Sequence, residues 1–292
     1  MNYANIEIAL VAIIPSFLLC NYIFRKDKKE KEPPMLLLLL FVAGIVCYIP
    51  AILCENALLG AFREIMSDYL VITVNGGVNY TSSFAAAGHG VLNTFVAVAI
   101  VEEIAKWLVL FFITRKNKNF NCLFDGVVYS VFVSLGFATA ENVRYALIGG
   151  WDTLVMRLIT SLPGHIFFGV VMGYFYTMWH SYNMASKAEK KLGDKNIIAI
   201  FAPFSSGKWF ALTIVAPILL HGFYSFAGSY STTMMTALFY ITIGIFYVIC
   251  FMSIRRLSLA DTEKYKIVSD MLIKKYPVVK TRVEDLVALI EE

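Results

Sequence analysis

Apolar residues run in seven stretches, near Ala4–Phe24, Met35–Cys54, Val91–Ile113, Leu123–Ile148, Leu154–Trp179, Trp209–Ala227 and Thr233–Ile254. Each approaches the ~20 residues that carry a helix across the hydrocarbon core of a bilayer. The fourth and fifth are longer than a crossing needs, which tilt accommodates. The pattern predicts an all-α, polytopic membrane bundle of about seven transmembrane helices within 1–254. The charged tail, 255–292, has apolar positions Tyr265, Ile267, Val268, Met271 and Leu272 that suit amphipathic cytoplasmic helices.

The connecting segments set an orientation. Twenty-one of the twenty-five Lys and Arg residues lie in 25–32, 115–118, 181–208 and 255–292, whereas the alternate segments hold only Arg63. Cytoplasmic loops collect basic residues, so the N-terminus is expected outside and the C-terminus in the cytoplasm. An odd number of crossings requires the same outcome. The basic run Arg25–Lys31 follows the first apolar stretch, opposite to the order in a cleavable signal, so that stretch is expected to be a membrane helix. The segment 55–90 is the one substantial outer loop, with a turn expected at Gly76-Gly77 and a formal glycosylation sequon at Asn79-Tyr80-Thr81.

Composition agrees with the pattern. Hydrophobic residues make up 59% and charged residues 16% of the 292, with mean hydropathy +0.68. A soluble domain carries roughly a quarter charged residues, which excludes that class. The five cysteines are scattered, with no metal-finger spacing or disulfide framework. Nothing in the sequence points to nucleic acid.

Against this apolar background the polar residues inside the spans stand out. The third stretch reads VLNTFVAVAIVEEIAKWLVLFFI, and its only charges are Glu102, Glu103 and Lys106. A charge at bilayer depth costs at least ~2.5–3.5 kcal/mol, so such residues mark function by default. Glu141-Asn142, His165 and His221 lie in the next three stretches. At ~1.5 Å per residue, Glu102 and His165 lie roughly 15 Å below the outer boundary and Glu141 and His221 roughly 10 Å. Four helices thus bring ionisable groups into one slab, which predicts one composite site. Lys106 follows Glu103 by three residues and Glu102 by four, so it can pair with either carboxylate on one helix face. Adjacent helical residues point about 100° apart. Glu102 is therefore expected to face a cavity, with Glu103 turned to a neighbouring helix or an Arg partner.

Carboxylates beside imidazoles suit proton transfer. A water activated by Glu102 and Glu141, with His221 stabilising a tetrahedral intermediate, makes an amide hydrolase. The expectation is that no cofactor is needed. Zinc is the alternative, with Glu102, Glu141, His165 and His221 as ligands, although the HExxH signature is absent. A proton-coupled membrane transporter also stays open at this point, because intramembrane Glu and His mark ion pathways too.

EEIAK (Glu102–Lys106), DGVVYSVFVSLGFATAEN (Asp125–Asn142), PGHIFFGVVMGYF (Pro163–Phe175) and LLHGFYSF (Leu219–Phe226) resemble the signature blocks of PrsW-type intramembrane proteases. That family belongs with the CAAX endopeptidases and the bacterial Abi/CPBP proteins. The resemblance implies a glutamic-type endopeptidase of the bacterial plasma membrane, with its catalytic core in about 91–227. It would cut a single-pass membrane substrate, such as an anti-sigma factor, near the extracytoplasmic side. In that reading Glu102 activates the water, Glu103 supports it through a basic partner, and Glu141 assists. His165 and His221 position substrate or form the oxyanion site, and Lys106 and Asn142 support them. The fourth block commonly ends His-x-x-x-Asp or His-x-x-x-Asn, whereas here it is His221…Ser225, whose hydroxyl can donate a supporting hydrogen bond but supplies no carboxylate. CAAX-type relatives act on prenylated proteins at the cytosolic side, so prenyl-protein processing is the alternative substrate class.

Overall fold

The computed structural model describes residues 3–72, 78–229 and 232–282. Among the described residues the chain is helical except for loops and one short hairpin. Helix α1 spans Tyr3–Lys26 and α2 Pro34–Ile65. Strands β1 (Leu70–Ile72) and β2 (Val78–Tyr80) pair antiparallel, Leu70 opposite Tyr80. The expected Gly76-Gly77 turn lies outside the described residues. Helix α3 (Ser83–Val91) runs through a π-wound stretch, Leu92–Ile100, into α4 (Val101–Thr114). Then come α5 (Asp125–Asp194), α6 (Gly207–Ser229), α7 (Thr233–Leu259) and α8 (Lys264–Lys275).

Among the described residues, five helices are long and apolar enough to cross a membrane: α1, α2, α5, α6 and α7. The expected fourth and fifth segments are one helical run. Gly150 breaks it at φ 72°, ψ −163° into legs 125–149 and 151–194. Only glycine adopts that backbone region readily. The connection expected at 149–153 is therefore a kink. Pro163, in the second leg, is accommodated within continuous helix. The third apolar stretch is interrupted by the π turns, which shift the phase of the residues that follow.

Two further boundaries differ from expectation. Helix α2 continues to Ile65, so Glu55, assigned to the outer loop, is a buried helical residue. The second leg of α5 continues to Asp194, because Ala185, Ala188 and Leu192 join Val268, Leu272 and Val279 in a separate apolar core. Glu189, at the centre of that module, accepts hydrogen bonds from the Phe204 amide and the Tyr276 hydroxyl. The segment after α7 is thus packed against the end of α5.

The main core gathers α1, α2, α4, both legs of α5, and α7 around the first leg of α5. Every residue from Asp125 to Thr139 is buried, so this leg sees protein on all sides. It crosses α2 at Gly44 and Gly136. A Cβ on Gly136 would collide with the Phe41 carbonyl, and one on Gly44 with the Val133 carbonyl. Backbone contact at this crossing lets Tyr48 reach edge-on over Phe137, at a centroid distance of 5.2 Å, on the floor of the polar site.

Candidate active site

The expected residues from four elements converge. Glu102 and Glu103 begin the first turn of α4, and the helical spacing carries Lys106 back over both. The Lys106 Nζ lies 3.0 Å from Glu102 Oε2 and 2.8 Å from Glu103 Oε1. Its third neighbour is His165 Nδ1 at 3.0 Å, from the second leg of α5. Phe137 lies under the ammonium, with its ring centroid 4.3 Å away. Lys106 is only 1% exposed, so these contacts replace water.

Hydrogen-bond bookkeeping fixes the direction of the network. An ammonium has three donors and no acceptor. All three of its donors are used, and the lysine therefore makes His165 Nδ1 an acceptor. The proton of neutral His165 then sits on Nε2, which donates to Glu141 Oε2 at 2.9 Å. His221 Nδ1 faces Glu103 Oε1 at 2.8 Å, and an ionised carboxylate only accepts, so that nitrogen carries a proton. Glu102 Oε2 is 3.9 Å from the same nitrogen. Among the described residues, buried Glu103 Oε2 has no hydrogen-bond partner.

Of the two partners expected for Glu103, a neighbouring helix or an arginine, the structure has the first. Glu102 does line a cavity and Glu103 faces inward to a neighbouring helix, but its partners are Lys106 and His221 of α6, not an arginine. Two long side chains starting 100° apart meet at the same ammonium, so their environments are joined.

Arginine enters elsewhere, from within the fifth apolar stretch. Arg157, in the second leg of α5, places Nη2 2.6 Å from Glu141 Oε2. Its Nε donates to Asn142 Oδ1 at 2.8 Å and its Nη2 to Ser161 Oγ at 2.9 Å. The kink at Gly150 brings it back over the first leg. The signal that could have found it was available: an intramembrane arginine needs a buried anion. Glu55 of α2 was also missed. It is buried, and its Oε1 has no hydrogen-bond partner among the described residues.

A cavity of about 270 Å³ opens beside these groups. Glu102, Glu141, Arg157, His165 and His221 line its polar side, with Tyr224 and Ser225 from α6. Phe239 of α7 lies opposite. Ser225 sits one helical turn beyond His221, and its carbonyl accepts from Ser229 Oγ at 2.8 Å.

Two triads have donor atoms within 4.8 Å of one another, Glu102/Glu103/His221 and Glu102/Glu141/His165. Imidazole and carboxylate donors suit zinc by chemistry. The Lys106 ammonium, however, already contacts two members of each triad. Zinc bonds such donors at about 2.0–2.2 Å, so an ion taking them would lie within about 5 Å of the ammonium. At an effective dielectric near 20 the two cations would repel by about 7 kcal/mol. As arranged, with the ammonium in place, the donor set does not fit a metal ion.

Comparison with known proteins adds a family. A family model described as PrsW family intramembrane metalloprotease matches residues 32–254. Protease PrsW of Oceanobacillus iheyensis is 28% identical over 221 residues, covering 76% of this chain and 82% of that protein. Protease PrsW of Bacillus subtilis is 29% identical over 215 residues, covering 73% and 79%. Protease PrsW of Geobacillus kaustophilus is 31% identical over 164 residues, covering 56% and 63%. No solved structure matches.

Proposed function

Since the chain belongs to the PrsW family of intramembrane proteases and is a multi-pass bacterial membrane protein, we propose that it hydrolyses a peptide bond of a single-pass membrane protein with a water activated by Glu102. The observation that carries this reading is the unequal support of the three carboxylates. Glu103 is held by Lys106 and His221, each at 2.8 Å, and Glu141 by Arg157 at 2.6 Å and His165 at 2.9 Å. Glu102 shares Lys106 at 3.0 Å and has His221 only at 3.9 Å. Of the two glutamates that line the cavity, it has the fewer close partners, which leaves its carboxylate the freer to bind and orient a water.

The reaction then balances as follows. Water in the cavity gives a proton to Glu102, and the oxygen attacks the scissile carbonyl carbon. The resulting oxyanion is met by donors on the cavity wall, among which Arg157 carries a positive charge. Collapse of the tetrahedral intermediate breaks the C–N bond, and the proton held by Glu102 passes to the leaving amine. His221, whose Nδ1 is tied to Glu103, is placed to assist that transfer. Lys106 and His165 keep the carboxylates in place, and Asn142 does the same for Arg157. Water activation in this reading needs no metal.

The cleavage site belongs to the outer half of the membrane in the same reading. Basic residues gather at the ends of α1, α4 and α7, which supports seven crossings with the N-terminus outside and the C-terminus in the cytoplasm. The two legs of α5 count as two crossings, and α3 to α4 as one. An anti-sigma-factor-like protein is the proposed substrate class. The test is cleavage of a fluorescently tagged single-pass substrate by detergent-purified full chain. Glu102→Gln should lose at least ~100-fold in rate, the usual range for a general base. Equal cleavage by the two proteins would remove Glu102 from the role.

A further inference from the structure

We propose that the Lys106 ammonium is the resident cation of this site, filling the position at which the two Glu/His triads would otherwise gather a divalent ion such as zinc. The inference deepens the metal-free reading above and rests on it for its functional meaning, but it stands on the geometry of the ammonium itself.

Three features assign this role. First, the lysine uses its three donors on Glu102 Oε2, Glu103 Oε1 and His165 Nδ1, which belong to the two triads jointly. A cation meeting carboxylate oxygens and an imidazole nitrogen from separate elements has the donor types a zinc ion would select. Second, the seat is closed. Lys106 is 1% exposed, Glu103 is fully buried, and the Phe137 ring covers the ammonium on another side. A mobile ion has no room to share it. Third, the cation is delivered by the fold. The i+3 and i+4 spacing on α4 places the ammonium between both carboxylates whenever that helix forms.

This makes a chemical prediction about binding. Removing the ammonium while keeping the two carboxylates and His165 should leave a vacant cation site with nitrogen and oxygen donors. Zinc affinity should then rise by at least about 100-fold over the wild type, because the repulsion is gone and the donors lack a partner. Methylammonium, which returns a small cation to the same seat, should compete with zinc in the variant.

The experiment measures metal content and affinity in full-length protein purified in detergent without chelator. Wild type equilibrated with micromolar zinc and desalted should carry a small fraction of an equivalent. Lys106→Ala, treated identically and monodisperse on size exclusion, should carry close to one equivalent, reduced by methylammonium. Lys106→Gln, which keeps most of the length, serves where the Ala variant does not fold. Stoichiometric zinc in the wild type overturns the proposal, as does a folded neutral variant that binds zinc no better than wild type. If neither neutral variant folds, cobalt binding to wild type is compared with that to His165→Gln. Equal, weak binding supports the proposal, and a specific loss in His165→Gln overturns it. None of these readouts involves proteolysis, so they fail separately from the cleavage test of Glu102→Gln.

Discussion

Arg157 and Glu141 form the ion pair on which the geometry of the cavity wall most depends, and its strength can be worked out. The Nη2–Oε2 distance is 2.6 Å, with side-chain exposures of 18% and 11%. Taking the charge centres about 4 Å apart and an effective dielectric near 20, the attraction is about 4 kcal/mol. Partial access to the cavity reduces it, so a coupling energy of about 2–3 kcal/mol is expected. Arg157→Met also loses the bonds to Asn142 and Ser161, each worth about 1 kcal/mol. Those losses occur equally in the presence and absence of Glu141. A double-mutant cycle with Glu141→Gln cancels them and isolates the pair. Arg157→Met alone should destabilise by about 4 kcal/mol and Glu141→Gln by about 2–3 kcal/mol. The double variant should be more stable than the sum of the two predicts, by the coupling energy. Reversible denaturant unfolding in one detergent, followed by tryptophan fluorescence, measures all four corners. A coupling below about 0.5 kcal/mol would show that the contact is a solvent-screened surface pair and refute the reasoning.

Two further outcomes follow from single positions. Gly150→Ala should cost about 1–3 kcal/mol, because a Cβ there meets no atom within 4 Å and the whole effect is backbone strain at φ 72°. It should also slow cleavage by misplacing Arg157; unchanged unfolding midpoint and rate would show that the kink tolerates a side chain. Asp27, in the connection between α1 and α2, is fully buried, and burial pushes its carboxyl up from 3.8 to about 6, opposed by the Glu32 amide. The folded state holds that proton more tightly than the unfolded one, so its stabilisation is complete below pH ~3.8 and is lost as pH rises through ~6, at most about 3 kcal/mol. Asp27→Asn keeps the acceptor and should flatten stability between pH ~4 and ~7; an unchanged slope in denaturant titrations at pH 5 and 8 would sink the assignment.

Much of this arrangement was legible because two strong signals do not depend on tertiary context. Long apolar stretches located the helices, and the three- and four-residue spacing of Lys106 from two glutamates fixed their pairing on one face. The convergence of Glu141, His165 and His221 followed from comparing depths along successive helices, a one-dimensional calculation. What stayed hidden depended on three-dimensional turns. Arg157 meets Asn142 across fifteen residues only because Gly150 folds one leg back on the other, and a lone glycine beside another in Gly149-Gly150 reads as an ordinary loop. Glu55 looked like loop because apolarity stops at Cys54, yet the following residues Asn56–Phe62 carry helix formers that keep α2 going. The π winding before Glu102 has no composition signal at all.

The charge balance of the site gives the adjacent glutamates unequal parts. Glu102, Glu103 and Glu141 bring three negative charges, and Lys106 and Arg157 bring two positive ones. With both imidazoles neutral, one negative charge is left over in a buried setting. The surplus falls on Glu102, since the other two carboxylates each have a closer cation or an additional imidazole donor. A proton taken from water cancels that surplus; a proton placed on Glu103 or Glu141 would instead break a tighter contact and strand Lys106 or Arg157 beside a weaker partner. Glu103→Gln should therefore act through position rather than chemistry. It leaves Lys106 with one carboxylate and turns the ammonium toward Glu102, drawing that side chain from the cavity; a Glu103→Gln variant that cleaves at the wild-type rate would refute this.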